Sequence, residues 1–236
     1  MATPRVDRKV ETALVSDIPD LVELFWNAFN SERMRRFCPK SEGGRTWLEV
    51  GNSVFICPYP PSIVTMRVQL RRYKLRSDPG GASLPSTISP VCVAEACLPA
   101  SFVVVHIFHM KGDPSKRTWT TMWPTADDIP DMSTQVLADF WGTPEKAHAF
   151  VTGERPHVYF EILGTLDSHR RQGYGSALVK WSCGLADELG LESFLQASED
   201  GKPLYEAYGY AAQDMSQMDE KLHSCPMLRL PKSRLG

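Results

Sequence analysis

The chain has 236 residues, 42% hydrophobic and 23% charged, enough for one substantial globular domain over 1–236. Its net charge of −2 offers no basic excess to hold nucleic acid or an anionic membrane, and no apolar run approaches the ~20 residues of a membrane span. Met1 to Val10 has no apolar export core, and Cys38, Cys57, Cys92, Cys97, Cys183 and Cys225 fit neither a zinc ribbon nor a compact disulfide framework. Reduced thiols in the cytoplasm, with no metal, are therefore expected.

In chain order, Glu11 to Val15 reads as a short strand. Asp17-Ile-Pro-Asp20 then opens a helix, with Asp17 as N-cap and Ile18, Leu21, Leu24, Phe25 and Phe29 as its apolar face. Residues 51–130 are irregular. Pro58 to Pro61 and Ser77 to Pro90 read as loops, and the basic cluster Arg67, Arg71, Arg72, Lys74 and Arg76 as a solvated face. Within that stretch, Phe102 to Phe108 reads as a buried strand. Thr143-Pro-Glu-Lys146 starts a helix running to about Val151 by the same capping logic. Val158 to Thr165 is an apolar strand, and Ser176 to Leu189 a helix with Leu178, Trp181, Leu185 and Leu189 on one stripe, stopped by Gly190. Leu191 to Ala197 is a strand, followed by a polar turn, a short helix through Tyr205 and a strand start at Tyr208-Gly-Tyr210.

Between the apolar strand and the helix lies Arg170-Arg171-Gln172-Gly173-Tyr174-Gly175-Ser176. A strand, a glycine loop and a helix start in that order form an anion cradle. N–H groups at the helix start have no intrahelical partner, the helix dipole adds positive charge, and Gly173 and Gly175 leave the backbone open to a phosphate. Arg170 and Arg171 add donors suited to phosphate oxygens. The loop lacks the third glycine and the distal acid of a dinucleotide fingerprint, and it lacks the Gly-Lys-Ser/Thr of a Walker loop.

The R-x-x-G-x-G pattern resembles the acyl-CoA loop of the GNAT superfamily of N-acetyltransferases. The succession of elements from the loop to Tyr-Gly-Tyr is similar to the core of that superfamily. Asp139-Phe-Trp141, Ala186-Asp-Glu188 and Gly201-Lys-Pro-Leu-Tyr205 resemble a branch of small fungal members. The resemblance implies an α/β (α+β) fold: a mixed, mostly antiparallel twisted sheet flanked by helices, with its fourth and fifth strands splayed apart. Residues 51–130 then stand as a proline-rich insertion, since a family member has a tidy antiparallel strand pair there.

The same resemblance implies acetyl-CoA as co-substrate and direct attack by the amine of a small-molecule acceptor in a ternary complex. The cofactor would run along Leu163 and Thr165, with its pyrophosphate on Arg170, Arg171, Gln172, Gly173, Tyr174, Gly175 and Ser176. Ser198 would orient its amide or a water. Tyr205 matches the position whose phenol protonates the departing thiolate, a role that suits a phenol's acidity. A base must also take the amine's proton. Glu161 is the candidate, because an ionisable group inside an apolar strand needs a partner or a job, and alternation puts it on the face of Tyr159 and Leu163. Asp167 is the weaker rival. His106 and His109, three apart on a strand, point to opposite faces, and mid-helix Cys183 reads as a buried, inert thiol. A catalytically impaired CoA-binding or interaction protein that keeps the fold is the alternative function.

Overall fold

The computed structural model describes residues 10–12, 17–29, 63–69, 99–111, 134–218 and 222–232. Within them the chain runs β1 (Val10–Thr12), α1 (Ile18–Ala28), β2 (Ile63–Gln69), β3 (Pro99–Phe108), α2 (Thr134–Thr152), β4 (His157–Thr165), a 3-10 turn (Asp167–His169), α3 (Tyr174–Leu189), β5 (Glu192–Ala197), α4 (Lys202–Glu206), β6 (Ala211–Ala212) and β7 (Cys225–Arg229). The strands form one sheet in the order β1-β2-β3-β4-β5-β7-β6. Neighbours are antiparallel except β4 and β5. A parallel pair needs a crossover, and α3 supplies it.

Helix α3 covers one face of the sheet. Its Tyr174, Leu178, Val179, Cys183 and Ala186 pack on Val103 and Val105 of β3, Val158 and Phe160 of β4, and Leu195 of β5. The opposite face is shared. Leu21, Leu24 and Phe25 of α1 meet Phe102, Val104 and Ile162, while Val151 of α2 meets Tyr159 and Phe194. Strand β3 is thus covered on both sides, which is why it reads as a near-continuous run of valines. Among the described residues, no helix is long and apolar enough to cross a membrane.

Several expectations need correction. The helix expected to start at Thr143 begins at Thr134 and carries Pro144 in its interior. Capping logic misplaces the boundary because proline at a first turn and proline inside a tolerant helix look alike in sequence. Helix α3 starts two residues earlier than expected, at Tyr174, with Gly173 as N-cap. Its buried face is also rotated from the expected stripe. Small Ser182 and Ala186 are buried, Trp181 and Leu185 are half-buried, and Leu189 is exposed. Close approach to the sheet favours small side chains, which an apolar stripe does not count. Asp17 precedes α1 as expected, yet its side chain makes no capping bond.

Strands β2 and β3 fall inside 51–130 and form an antiparallel pair, with Ile63 opposite His106 and Arg67 opposite Phe102. Residues 13–15, the loops Pro58–Pro61 and Ser77–Pro90, and the side chains of the basic cluster lie outside the described residues.

Candidate active site at the splay of β4 and β5

Strands β4 and β5 pair only from His157 opposite Glu192 to Phe160 opposite Leu195. Beyond that point β4 continues to Thr165, so the β5-facing edge of Glu161–Thr165 has no strand partner among the described residues. A cavity of about 300 Å³ occupies the opening. Phe25 and Phe29 from α1, Trp141 from α2 and Tyr159 from β4 wall it with aromatic rings. Asp139 and Glu161 also line it, and among the described lining residues there is no lysine or arginine. Leu163, Ser198 and Tyr205 stand on its other side, so four of the site residues expected from sequence meet around one space.

Glu161 sits at a β-bulge. Val104 pairs with Ile162 and Val105 with Phe160, so Glu161 falls between two register pairs. An inserted residue shifts the alternation by one. Glu161 therefore shares a face with Tyr159, as expected, but Leu163 does not: it packs against the α3 core on the opposite face. The Glu161 side chain is 4% exposed, and its Oε2 lies 2.6 Å from Nε2 of His106, itself 6% exposed. Because a carboxylate can only accept, the imidazole donates. Burial, and then the charge of Glu161, hold the Tyr159 phenol well above its usual range. Asp167, the rival base, is outside the cavity lining; its exposed side chain pairs with Arg170 at 2.8 Å. His109 lies past the end of β3 and is exposed, whereas His106 is buried.

The loop that enters α3 is held by its own contacts. Arg170 bonds Asp167 at 2.8 Å and donates to the carbonyl of Ala28 at 3.2 Å, and Gln172 donates to the carbonyl of Ser168 at 3.0 Å. Gly173 adopts φ +84°, which only glycine takes without strain, and Arg171 sits at φ +59°. Gly173 has no side chain to cap the helix, and the first intrahelical bond runs from the N–H of Ala177 to its carbonyl. The N–H groups of Tyr174, Gly175 and Ser176 precede that bond and so have no partner within the helix. Tyr174 offers only backbone here, because its side chain is 1% exposed within the α3 core. A Cβ on Gly175 would point at Leu163, Leu204 and Thr165, along the end of β4. Thr165 donates to Ser101, which in turn donates to the carbonyl of Gly164, fixing that end of the strand.

Helix α4 presents Tyr205 from the other bank. Its ring is 8% exposed, edge-on to Phe160 at 5.8 Å, and burial holds its phenol well above the usual value. The phenol stays protonated at neutral pH. Ser198 accepts the N–H of Gly201 at 3.2 Å and starts the turn into α4. Cys183 is buried, and burial pushes its thiol up, which accords with an inert role.

Sequence reasoning missed several site residues. Gln196 donates to the carbonyl of Pro144 at 2.6 Å and accepts from Ser224 at 2.7 Å, so it ties α2 and the segment before β7 to the tip of β5. His223 and Ser224 line the cavity from 26 and 27 positions beyond the end of β5 with no local signal. His106 left a trace, as the polar exception in an apolar strand. A second buried pair lies deeper: His148 and His157 are 2.7 Å apart at Nε2, and His157 donates its Nδ1–H to the carbonyl of Arg155.

A strand splay, a helix start without a side-chain cap and a phenol beside the opening together make up the candidate site. Residues 137–210 match the model of the acetyltransferase (GNAT) family. Among solved structures, the fold is shared with arylalkylamine N-acetyltransferase 2 from Aedes aegypti (TM-score 0.56, 11% identity, 95% of this chain and 99% of that chain covered). It is shared with a mosquito arylalkylamine N-acetyltransferase like 5b (0.54, 13%, 95% and 100%). A Corynebacterium glutamicum protein described as histone acetyltransferase HPA2 and related acetyltransferase is a third (0.52, 18%, 95% and 96%). No curated protein matches at a significant level. Residues 137–210 thus match the GNAT family, and the described fold is one that these solved acetyltransferases share.

Proposed function

We propose that this enzyme moves the acetyl group of acetyl-CoA to the primary amine of a small molecule by direct attack in a ternary complex. One observation carries the reading: the open end of β4 borders the carboxylate-bearing aromatic cavity and, at Leu163 and Thr165, approaches Gly175 at the start of α3. Tyr174, Gly175 and Ser176 give backbone donors to the diphosphate, with Arg170, Arg171 and Gln172 around it. Leu163 and Thr165 offer backbone to the pantetheine arm, and Ser198 orients its amide or a water. Rings from Phe25, Phe29 and Trp141 suit an amine with an apolar or aromatic body, and Asp139 and Glu161 suit its ammonium.

Glu161 takes a proton from the ammonium. The freed lone pair forms the N–C bond to the thioester carbonyl, the C–S bond breaks, and the departing thiolate takes the phenolic proton of Tyr205. The nitrogen's surplus proton returns the phenol to its acid form, and Glu161 releases its own proton to solvent. The products are an acetamide, the CoA thiol and one proton.

Thiol release from acetyl-CoA over a panel of aryl, alkyl and polyamine acceptors tests this. Release dependent on an aryl or alkyl monoamine is expected, and Tyr205→Phe should keep acetyl-CoA affinity while slowing release about tenfold or more. Acetyl-CoA binding with no amine-dependent release would instead support a CoA-binding protein without transfer.

A further inference from the structure

We infer that His106 is a positioning residue for the general base: it holds the Glu161 carboxylate in place, and acetyl transfer depends on that hold. The inference rests on the reading of Glu161 as the base given above. His106 is absent from the cavity lining, so it acts through Glu161 and not on the acceptor.

Three observations converge. The Nε2–Oε2 distance is 2.6 Å with both side chains 6% or less exposed, so the contact is a desolvated, charge-assisted hydrogen bond. Tyr159 is the register partner of His106 on β3, and Glu161, two residues on, shares its face, so β4 brings the carboxylate to the face that carries His106. The imidazole is itself fixed, stacked 5.8 Å from the ring of Tyr159 and 6.4 Å from that of Phe108.

Burying a carboxylate costs free energy that hydrogen-bond donors must offset. Donation from His106 offsets part of that cost, and it pins Oε2 so that the carboxylate keeps one orientation at the cavity wall. When Glu161 takes the ammonium's proton, its charge and the strength of that bond both fall.

The test compares steady-state thiol release, at saturating acetyl-CoA, for the wild type, His106→Leu, His106→Gln, Glu161→Gln and the double variant His106→Leu/Glu161→Gln. His106→Leu is expected to lower kcat about tenfold to a hundredfold while KM for acetyl-CoA stays within about twofold. His106→Gln keeps an N–H donor and should stay within about threefold of wild type. Because His106 acts through Glu161, the double variant should be no slower than Glu161→Gln alone. Wild-type kcat in His106→Leu, or losses that multiply in the double variant, would overturn the inference. If His106→Leu fails to fold, the double variant decides, since it removes the buried carboxylate together with its donor. A wild-type protein that releases no thiol with any amine would overturn the proposed function itself.

Discussion

Replacing Gly175 with glutamate puts a carboxylate at the second position of α3, where folding and cofactor binding respond in opposite directions. The Cβ would meet Leu163 and Leu204 at 3.7 Å and Thr165 at 3.8 Å, ordinary contacts that require no rearrangement. A negative charge in the first helical turn gains about 0.3–1 kcal/mol from the dipole, and loss of a helical glycine adds up to about 1 kcal/mol. The protein alone should therefore melt no lower than wild type. Binding should suffer. A carboxylate about 5 Å from a diphosphate bearing two charges, at an effective dielectric of about 40, is repelled by about 3 kcal/mol, or roughly a hundredfold in Kd. Isothermal titration with acetyl-CoA, beside thermal melts with and without it, measures both sides. Gly175→Ala is the control and should bind within about threefold of wild type, because its methyl fits and carries no charge. A glutamate variant that binds like wild type, or an alanine variant that loses as much as the glutamate, would refute the cradle.

Other consequences concern the frame around the site. Gly164→Ala would place its methyl 2.4 Å from the buried ring of Phe102, which packs on Phe25 of the cavity wall. Overpacking of about 1–3 kcal/mol should lower the melting temperature by about 2–4 °C per kcal/mol, with partial recovery in Gly164→Ala/Phe102→Leu; an unchanged melt would contradict that contact. Arg229 grips both oxygens of Asp187, at 2.9 and 2.8 Å, and so holds that carboxyl below its usual value. The bond's contribution is full above the ordinary carboxyl pKa of about 4 and fades as pH falls through the lowered folded value. Asp187→Asn should cost about 3 kcal/mol in urea at pH 7 and less at pH 3; an equal cost at both would show that the charge is not what Arg229 holds.

The loop that opens α3 was legible in the sequence, and much of the cavity was not. Gly173, Gly175 and the following helix are contiguous, and backbone geometry at a helix start depends on local residues, so the turn into the helix could be drawn from a short stretch. Glu161 could be singled out because a charge within an apolar run is itself a signal. Its facing could not, since a bulge is a mismatch between two strands 55 residues apart and leaves no mark on either one alone. Its partner His106 was considered only against His109, a neighbour in sequence and not in space. Phe25 and Phe29 were expected on an apolar helix face, yet nothing local says that this face borders a cavity. Gln196, His223 and Ser224 reach it through the return of the chain to β7, beyond any periodic signal. The start of α2 was lost to Pro144, whose usual meaning is a first turn.

A crystal structure of the protein with CoA tests the central claim most directly. The account predicts the diphosphate within hydrogen-bond distance of the N–H groups of Tyr174, Gly175 and Ser176, with the arm laid along Glu161–Thr165 and the sulfur beside Tyr205. Density for CoA outside the opening between β4 and β5, or a diphosphate held away from the start of α3, would contradict it.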